Sequence, residues 1–432
     1  MSNADKIIEG ILKPKPKINP VEKAEQILQS HKIIYCANEF YEYRSGYYKK
    51  IQDLHICQWI LNMLNKAFTK TRSNEILHCI KTKTLLELEM LNRGDLMNVK
   101  NGMVDTKSLR LLPHGPEYYS TIRLNVEYGP EHTCERWIEV LTDMFEGDHD
   151  KVRALQEYFG LCLTKSTEYE KSLFLVGEGR NGKSVVLYVL CELLGQENYS
   201  AVSLDMFDKS HYVASMFGKL ANVSIETKAK TSIYDSMFKA IVSGDPIEAD
   251  RKYQASFVFR PFCKMIFATN NLPRVEDKTD AFYKRLLILK FNKQYLASQQ
   301  DKRLKYDLVG QELSGIFMWA LEGLRRLRER GDFAISVDML KEIQDYQEDN
   351  NNVIMFCEDN CDLSPGFATP ISLMYDEYKA WCHGDGYKPL GKKNYVREIC
   401  KHYKNVKRIK SGGSWKLEGI CLLSRVEDFD EF

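Results

Sequence analysis

The chain has 432 residues, of which 44% are hydrophobic, and its 61 basic and 60 acidic side chains leave a net charge of +1. This composition can supply the cores of about three domains, and the balanced charge argues against a protein whose entire surface coats nucleic acid. Since the sequence has no long apolar stretch, no secretory signal pattern and no C-x-x-C pair among its 12 cysteines, we expect a soluble cytoplasmic protein with reduced thiols and no membrane partner.

Residues 1–130 are expected to form an α+β domain, with helical patterns over residues 21–30 and 53–66. Between these patterns, aromatic and basic residues are interleaved: Tyr41, Tyr43, Arg44, Tyr47, Tyr48, Lys49 and Lys50. Aromatic rings among cations are typical of surfaces that bind single-stranded DNA. An antiparallel hairpin with tyrosines packed across its strands explains the same pattern. The sequence leaves both interpretations open.

The most informative motif follows an apolar strand pattern at residues 171–176 and precedes a helical pattern. It fits G-x-x-x-x-G-K-[ST] and reads Gly177, Glu178, Gly179, Arg180, Asn181, Gly182, Lys183, Ser184. In such a loop, backbone N–H groups converge on a phosphate at the positive end of the following helix. Lys183 can reach the terminal phosphates and Ser184 can hold Mg²⁺. The sequence therefore predicts that these residues bind ATP and Mg²⁺.

Polar residues border three later apolar runs. Glu226 ends a second strand pattern, where a carboxylate positions or activates water, and Asn270 ends a third, where an amide senses the terminal phosphate. Arg285 precedes a fourth run, from which it can project into a neighbouring subunit, and Arg274 is the second candidate for that role. Each residue also has a plainer explanation, as an exposed strand end, a turn former or a solvated cation. Their order within about 110 residues favours an NTPase core.

The segment between the second and third strand patterns carries a family resemblance. Residues 239–246 and 248–254 resemble the extra motif of superfamily-three helicases, which are AAA+ class replicative helicases, and in particular their phage, plasmid and poxvirus primase-helicase branch. Residues 101–122 and 157–164 are similar to segments that precede the ATPase in that branch. The resemblance implies a hairpin that lines a central channel, where Arg251 and Lys252 bind DNA, and a homo-oligomeric ring, a hexamer.

The second strand departs from a common pattern, because it ends in a single acid. Ile225 precedes Glu226 and Thr227 follows it, whereas many Mg²⁺-dependent NTPases carry two adjacent acids there. We therefore expect Mg²⁺ to rest mainly on Ser184, the phosphates and water. Glu226 then acts either as the catalytic base or as a partner of the metal.

Beyond the ATPase motifs, residues 311–328 form an amphipathic helical pattern, predicted to pack as a lid, and the charged run 325–330 is expected to be a solvated helix end. Two helical patterns and a hairpin pattern follow at residues 369–381, 392–403 and 406–423. This order predicts a winged-helix fold. Its basic residues favour DNA contact, and packing on a neighbouring protein is the alternative.

Together, these patterns predict an α/β fold with an AAA+ type P-loop NTPase core at residues 131–335. An α+β domain of the primase-helicase type precedes it at residues 1–130, and a winged-helix domain follows at residues 336–432. The predicted function is an ATP-dependent, ring-forming DNA helicase that acts on single-stranded or forked DNA during replication of a phage, plasmid or mobile element in a bacterial host.

Two other functions fit the same motifs. One is a replication initiator or loader that binds DNA without processive unwinding, and the other is a nucleotide-dependent scaffold. The N-terminal region shows no acidic pair or zinc-ligand pattern for primer synthesis, so we expect a separate primase or replication initiator as a partner.

Overall fold

The computed structural model describes residues 18–225, 235–251, 256–273, 275, 280–363 and 365–423. Its helices are α1 Pro20–Ser30, α2 Asp53–Leu64, α3 Lys70–Lys83, α4 Glu135–Met144, α5 His149–Cys162, α6 Lys183–Leu194, α7 Ser210–Val213, α8 Asp235–Ser243, α9 Asp280–Tyr283, α10 Leu304–Arg330, α11 Val337–Asp349, α12 Asn352–Asn360, α13 Ile371–Gly384 and α14 Lys392–His402. No helix within these described ranges is long and apolar enough to cross a membrane.

The strands are short and fall into several sheets. They are β1 Ile33–Cys36, β2 Glu39–Arg44, β3 Tyr47–Ile51, β4 Leu96–Val99, β5 Gly102–Asp105, β6 Leu111–Leu112, β7 Ser172–Val176, β8 Tyr199–Ser200, β9 Ala221–Ile225, β10 Ile247–Ala249, β11 Phe257–Phe259, β12 Lys264–Thr269, β13 Leu286–Lys290, β14 Cys361–Asp362, β15 Ala368–Pro370, β16 Lys407–Ser411, β17 Ser414–Glu418 and β18 Cys421–Leu422.

The N-terminal region is α+β, as the sequence predicts. Strands β1, β2 and β3 form an antiparallel sheet, and β4, β5 and β6 form a second one. Helices α1, α2 and α3 pack on the first sheet through a core that includes Phe40, Ile56 and Ile80. Asn19 starts α1, because its side chain accepts a hydrogen bond from the backbone N–H of Val21.

The tyrosine-rich segment is the hairpin of β2 and β3. Tyr43 lies opposite Tyr48 in the register, and their ring centroids are 5.3 Å apart. Tyr41, Tyr47 and Tyr48 are buried. Since buried rings cannot stack on DNA bases, the structure favours cross-strand packing over nucleic-acid contact for this cluster.

A five-stranded parallel sheet lies at the centre of the chain, in the order β13-β7-β12-β9-β8. Side chains along β7 alternate between two cores: Leu173 and Leu175 pack with α5, α6 and α10, whereas Phe174 and Val176 pack with Phe267 on the other face. Apolar packing therefore covers both faces of the sheet, as is usual for parallel sheets. The predicted mixed α/β fold is confirmed.

The long helix α10 packs closely on α5, and the predicted apolar stripe of α10 is buried there. Two glycines permit this approach. A Cβ atom on Gly323 would overlap the backbone carbonyl of Gln156, and one on Gly160 would overlap the backbone of Ala320. The two helices therefore touch through their backbones, which side chains at these positions would prevent.

The charged end of α10 differs from the expectation that it is solvated. Glu157 of α5 is fully buried, and its Oε2 accepts a hydrogen bond from Arg330 at 2.6 Å. Arg328 donates to the backbone carbonyl of Thr106 at 3.0 Å. Arg325 and Glu329 fit the expectation, with side chains that are more than half exposed. The expectation was wrong for Arg328, which is tied to a backbone carbonyl, and for Arg330, because the buried carboxylate of Glu157 requires a nearby cation.

The apolar core crosses both predicted domain boundaries. Val99 and Leu124, which precede residue 130, share one core with Phe159 of α5. Met339 of α11, which follows residue 335, belongs to the same core. A separate core begins at Val353 and includes the C-terminal helices and strands. Composition along the chain therefore does not mark where one packed unit ends and the next begins.

The C-terminal module has the predicted order of helix, helix and hairpin. Helices α13 and α14 precede the hairpin of β16 and β17, and β15 completes a three-stranded sheet in the order β15-β17-β16. Gly412 and Gly413 have φ angles of 59° and 78° and form the hairpin turn. Two successive positive φ angles are typical of the two-residue turns that connect hairpin strands.

Candidate functional site

The glycine-rich loop connects β7 to α6 at the carboxyl edge of the central sheet. Its last glycine, Gly182, has a φ of +93° and precedes Lys183, the first residue of α6. A Cβ atom on Gly182 would lie 2.6 Å from Met144 Sδ, so a side chain does not fit. At the other end of the loop, Gly177 donates its N–H to the carbonyl of Thr269 in β12 at 3.2 Å. A Cβ atom on Gly177 would lie 2.5 Å from the carbonyl oxygen of Phe291, so both glycines are required by the geometry.

Lys183 folds across the concave side of this loop. Its Nζ donates to the carbonyl of Gly177, to the carbonyl of Glu178 at 3.2 Å and to Asn181 Oδ1 at 3.1 Å. Asn181 is buried and donates to the carbonyl of Phe291 at 3.4 Å, which fixes the loop to the end of β13. Burial lowers the pKa of Lys183, because desolvation disfavours the cation. A phosphate in the loop would supply the missing counter-charge.

Two more of the predicted residues lie at the same edge. Ser184 is exposed on the first turn of α6. Asn270 is exposed and directly follows β12, whose Thr269 pairs with Val176 at the end of β7. Because carboxyl ends of parallel strands meet at one edge, the fold brings Lys183, Ser184 and Asn270 together. This geometry suits an anion with a bound divalent cation.

The predicted acid lies outside the described residues. Strand β9, which ends at Ile225, lies beside β12 and points its carboxyl end toward the same edge. Glu226 is the next residue in the sequence but is not among those described, and the same holds for Arg274 and Lys252. Their predicted roles stay predictions.

A pocket of about 440 Å³ lies beside the loop. Its lining includes Val140 and Met144 of α4, Val185 of α6, Leu304 of α10 and Tyr295. The volume lies in the range of small-molecule pockets, about 300–1,000 Å³. An apolar pocket next to a phosphate-binding loop can hold the base of a nucleotide.

A hydrogen-bonded pair of side chains lines this pocket, and the sequence did not point to it. Tyr295 donates its hydroxyl to Asp143 Oδ2 at 2.8 Å, and Lys293 donates to Asp143 Oδ1 at 2.5 Å. These hydrogen bonds hold the pKa of Asp143 below its ordinary value, because they stabilise the carboxylate. Asp143 and Tyr295 are 152 positions apart. No local spacing connects residues so distant in sequence, so no motif signals them.

Arg285 lies at the opposite edge of the sheet from the loop. It precedes β13, and its carbonyl accepts a hydrogen bond from Ser172, the first residue of β7. The guanidinium contacts Glu170 Oε2 at 2.6 Å and Ser243 Oγ at 2.9 Å, and the side chain is 19% exposed. The structure therefore separates Arg285 from the glycine-rich loop of the same chain.

Arg251 has a different environment from the expected one. We expected a cation exposed to a channel, but its Nη1 donates to Glu39 Oε1 at 3.1 Å and to the carbonyl of Ala37 at 2.9 Å. The guanidinium also lies over the ring of Phe257, 4.5 Å from the centroid. Only 19% of the side chain is exposed. The N-terminal region thus engages Nη1 of the Arg251 guanidinium.

Family models match three separate parts of the chain. Residues 24–146 match the family described as D5 N terminal like, and residues 348–418 match the family described as Poxvirus D5 protein-like. Residues 175–285, which include the phosphate loop, match a family of unknown function, DUF5906.

A curated protein of Acanthamoeba polyphaga mimivirus, named "Putative helicase L207/L206", is 26% identical to this chain over 172 residues. The match covers 35% of this chain and 17% of the mimivirus protein, so the chain corresponds to a small part of that relative.

Solved structures of a C-terminal region of NrS-1 share the fold. One apo structure has a TM-score of 0.55 at 10% identity and covers 94% of this chain and 100% of its own. A second, of residues 305–718, has a TM-score of 0.51 at 12% identity with the same coverage. At these identities the likeness shows the fold alone.

Proposed function

Because the chain is related to the phage and viral primase-helicase branch, we propose that it is an ATP-dependent DNA helicase of the AAA+ class, assembled as a hexameric ring and ending in a winged-helix domain. It would unwind forked DNA during replication of a phage, plasmid or mobile element, with priming or initiation by a separate protein. The observation that carries this proposal is the meeting of the phosphate loop, Lys183, Ser184 and Asn270 at one edge of a parallel sheet.

The chain's own residues would bind ATP and Mg²⁺ at this edge. Backbone N–H groups of residues 177–184 bind the phosphates, and Lys183 exchanges its loop acceptors for the terminal phosphate oxygens. Ser184 would hold Mg²⁺, which would supply positive charge beside the phosphates. Asn270 contacts the terminal phosphate, and Glu226 positions the attacking water. The pocket of Val140, Met144 and neighbouring side chains takes the base.

Arg285 would complete the site of a neighbouring subunit. Strand β13 has five residues, and a strand advances about 3.3 Å per residue, so roughly 15 Å separate Arg285 from the loop edge of its own sheet. An arginine side chain cannot span that distance. In a ring, the same position can face the terminal phosphate across the subunit interface and stabilise the transition state.

Movement along DNA would depend on Arg251 and Lys252. In the proposed cycle, Arg251 exchanges Glu39 for a backbone phosphate of the translocated strand. Since a carboxylate and a phosphate offer similar oxygen pairs to a guanidinium, this exchange needs no change of donor geometry. Nucleotide turnover at the interface then shifts the bound strand.

Mixed-subunit ATPase assays test the shared site. Lys183→Ala and Arg285→Ala are each expected to lower ATP turnover by about 10³-fold, since each removes transition-state stabilisation. Mixing the two inactive proteins should restore measurable turnover, because some interfaces then carry an intact Lys183 and an intact Arg285.

The control separates catalysis from folding. Glu170→Ala removes the carboxylate that holds Arg285 but leaves the arginine in place. If Arg285 is only a structural partner, Glu170→Ala and Arg285→Ala should weaken turnover equally, and mixing should restore nothing. That result would remove Arg285 from the nucleotide site.

The paired state of Arg251 favours one alternative function, a replication initiator or loader that does not translocate. In such a protein, the contact between Arg251 and Glu39 would persist throughout the ATP cycle. Strand displacement on forked DNA distinguishes the two functions. A helicase unwinds the fork with ATP and loses unwinding in Lys252→Ala, whereas a loader hydrolyses ATP without displacing the strand.

A further inference from the structure

The charge of the chain is concentrated near its C-terminal end. Residues 391–418 contain nine basic and two acidic side chains, a net charge of +7, while the whole chain carries only +1, so the remainder carries −6. This segment contains α14 and the hairpin of β16 and β17. The near-neutral net charge of the chain is therefore the sum of one strongly basic region and an acidic remainder.

Helix α14 presents its cations on one side. Lys393, Arg397 and Lys401 are exposed at intervals of four residues, which places them about 6 Å apart along the helix axis. Tyr395 and Ile399, on the other side, are buried in the module's core. Among the residues that the structure describes, no carboxylate forms an ion pair with these three cations.

The neighbouring hairpin adds a fixed guanidinium. Arg408 lies over the ring of Trp415 at 3.8 Å from the centroid, and 46% of Trp415 is exposed. Stacking on an indole restricts the guanidinium plane while leaving its N–H groups free to bind oxygen atoms. Lys410, two positions further along β16, is exposed on the same face of the strand as Arg408. We name the surface of α14 and this hairpin the basic face.

We propose that the basic face binds the backbone of double-stranded DNA, outside the ATPase core. This inference deepens the proposed function by assigning the duplex arm of the fork to a separate site, and it rests on the proposed DNA substrate but not on ATP hydrolysis. Phosphates along a duplex present a dense row of negative charge, which unpaired cations on a helix and a hairpin can neutralise.

Two other partners fit the basic face less well. A protein interface is depleted of lysine at its centre and enriched in apolar side chains, whereas this surface exposes lysines throughout. Single-stranded DNA binds by stacking its bases on open aromatic rings. On the described part of the basic face, Trp415 is the exposed aromatic residue, and Arg408 already covers its ring.

Binding of short DNA to the full-length chain tests the proposal. Fluorescence anisotropy without nucleotide would compare a duplex of about 20 base pairs with a single strand of equal length, at several salt concentrations. The triple change Lys393→Gln, Arg397→Gln and Lys401→Gln should weaken duplex binding at least about tenfold at low salt. The slope of log affinity against log salt should become shallower by about 3. ATPase activity should stay unchanged.

A matched control removes three exposed lysines elsewhere: Lys66→Gln, Lys70→Gln and Lys341→Gln. It lowers the net charge equally and should leave the salt slope within error. Arg408→Lys keeps the charge but loses the planar stack, so it should weaken duplex binding without unfolding the module.

Three outcomes would overturn the proposal. Unchanged duplex affinity in the folded triple variant would remove DNA from this surface. An equal loss in the triple variant and the control would show a non-specific charge effect. A loss confined to single-stranded DNA would reassign the surface to that partner. If the chain proves to lack ATPase activity but still binds duplex through these cations, the helicase proposal fails and this one stands.

Discussion

At the residue scale, Lys264 shows how the core tolerates a charged group. This residue begins β12 and is buried, and its Nζ donates to the carbonyls of Thr164 at 2.5 Å and Phe262 at 2.8 Å. Burial lowers the pKa of Lys264 to about 8, and the nearby thiols of Cys162 and Cys263 only partly oppose this shift. The two carbonyls therefore hold an ammonium whose charge destabilises the folded state near neutral pH.

The stability contributed by Lys264 should depend on pH. Its pKa is about 8 in the folded state and about 10.4 in the unfolded chain, so between these values the unfolded state binds more protons. Folding stability therefore rises as the pH rises through this window. Relative to Lys264→Met, the wild type should gain up to about 3 kcal/mol between pH 8 and pH 10.5.

Urea unfolding of both proteins at several pH values would measure this difference. Tyrosines and other lysines titrate in both proteins, so their contribution cancels when the two unfolding free energies are subtracted. If the difference in unfolding free energy between the two proteins does not change between pH 8 and pH 10.5, then Lys264 has an ordinary pKa and water reaches its ammonium.

At the scale of elements, the contact between α5 and α10 stabilises the strand that leads into the glycine-rich loop. Both helices pack on the face of the sheet that carries Leu173 and Leu175 of β7, and β7 leads directly into the loop. Glycines at the crossing allow the two backbones to touch. The buried Glu157, paired with Arg330, fixes the end of α10 on α5. Loss of this packing should therefore loosen the loop as well.

Gly323→Ala should destabilise the fold by about 1–3 kcal/mol, because the new methyl group overlaps the carbonyl of Gln156 and forces the helices apart. Gly310→Ala is the matched control in the same helix. Nothing lies within 4 Å of a Cβ atom there, so this change should stabilise by up to about 1 kcal/mol. Thermal unfolding measures both, and equal shifts in the two variants would contradict the close-packing argument.

At the scale of the whole molecule, polar contacts join the N-terminal sheet to the central region. Glu39 pairs with Lys50 at 2.8 Å within the sheet and with Arg251 at 3.1 Å across the contact. Tyr47 donates to Glu197 at 3.2 Å nearby. A cleft of about 670 Å³ runs along this contact. Since a phosphate offers the same kind of acceptor oxygens as Glu39, a polyanion can compete with Glu39 for the Arg251 guanidinium.

Glu39→Gln should therefore strengthen binding of single-stranded DNA, by roughly three- to tenfold at low salt, if Arg251 contacts DNA in the active state. The change removes a competing carboxylate and a repulsive charge. Glu25→Gln, which removes an exposed carboxylate paired with Lys83, is the control and should have little effect. Unchanged or weaker binding in Glu39→Gln would argue that Arg251 is a structural residue of the N-terminal contact.

Features encoded by neighbouring residues could be predicted from the sequence. The glycine loop, the strand before it, the apolar stripe of α10 and the hairpin of β16 and β17 all lie where the sequence placed them. The family resemblance is confirmed by the matches at residues 24–146 and 348–418. Each of these features depends on turn chemistry or on side-chain spacing within one element, which contiguous sequence records.

Other features were decided only by the tertiary structure. The pairing of Asp143 with Tyr295, of Glu157 with Arg330 and of Glu39 with Arg251 joins residues more than 150 positions apart. Likewise, apolar residues between positions 97 and 126 share a core with the helices that pack on the central parallel sheet, although the sequence suggested a boundary at residue 130. Such contacts depend on which faces of distant elements pack together, and no short-range pattern encodes that choice. The sequence by itself determined the position and the glycine pattern of the loop between β7 and α6, because these depend on neighbouring residues, whereas packing decided which charges surround the loop.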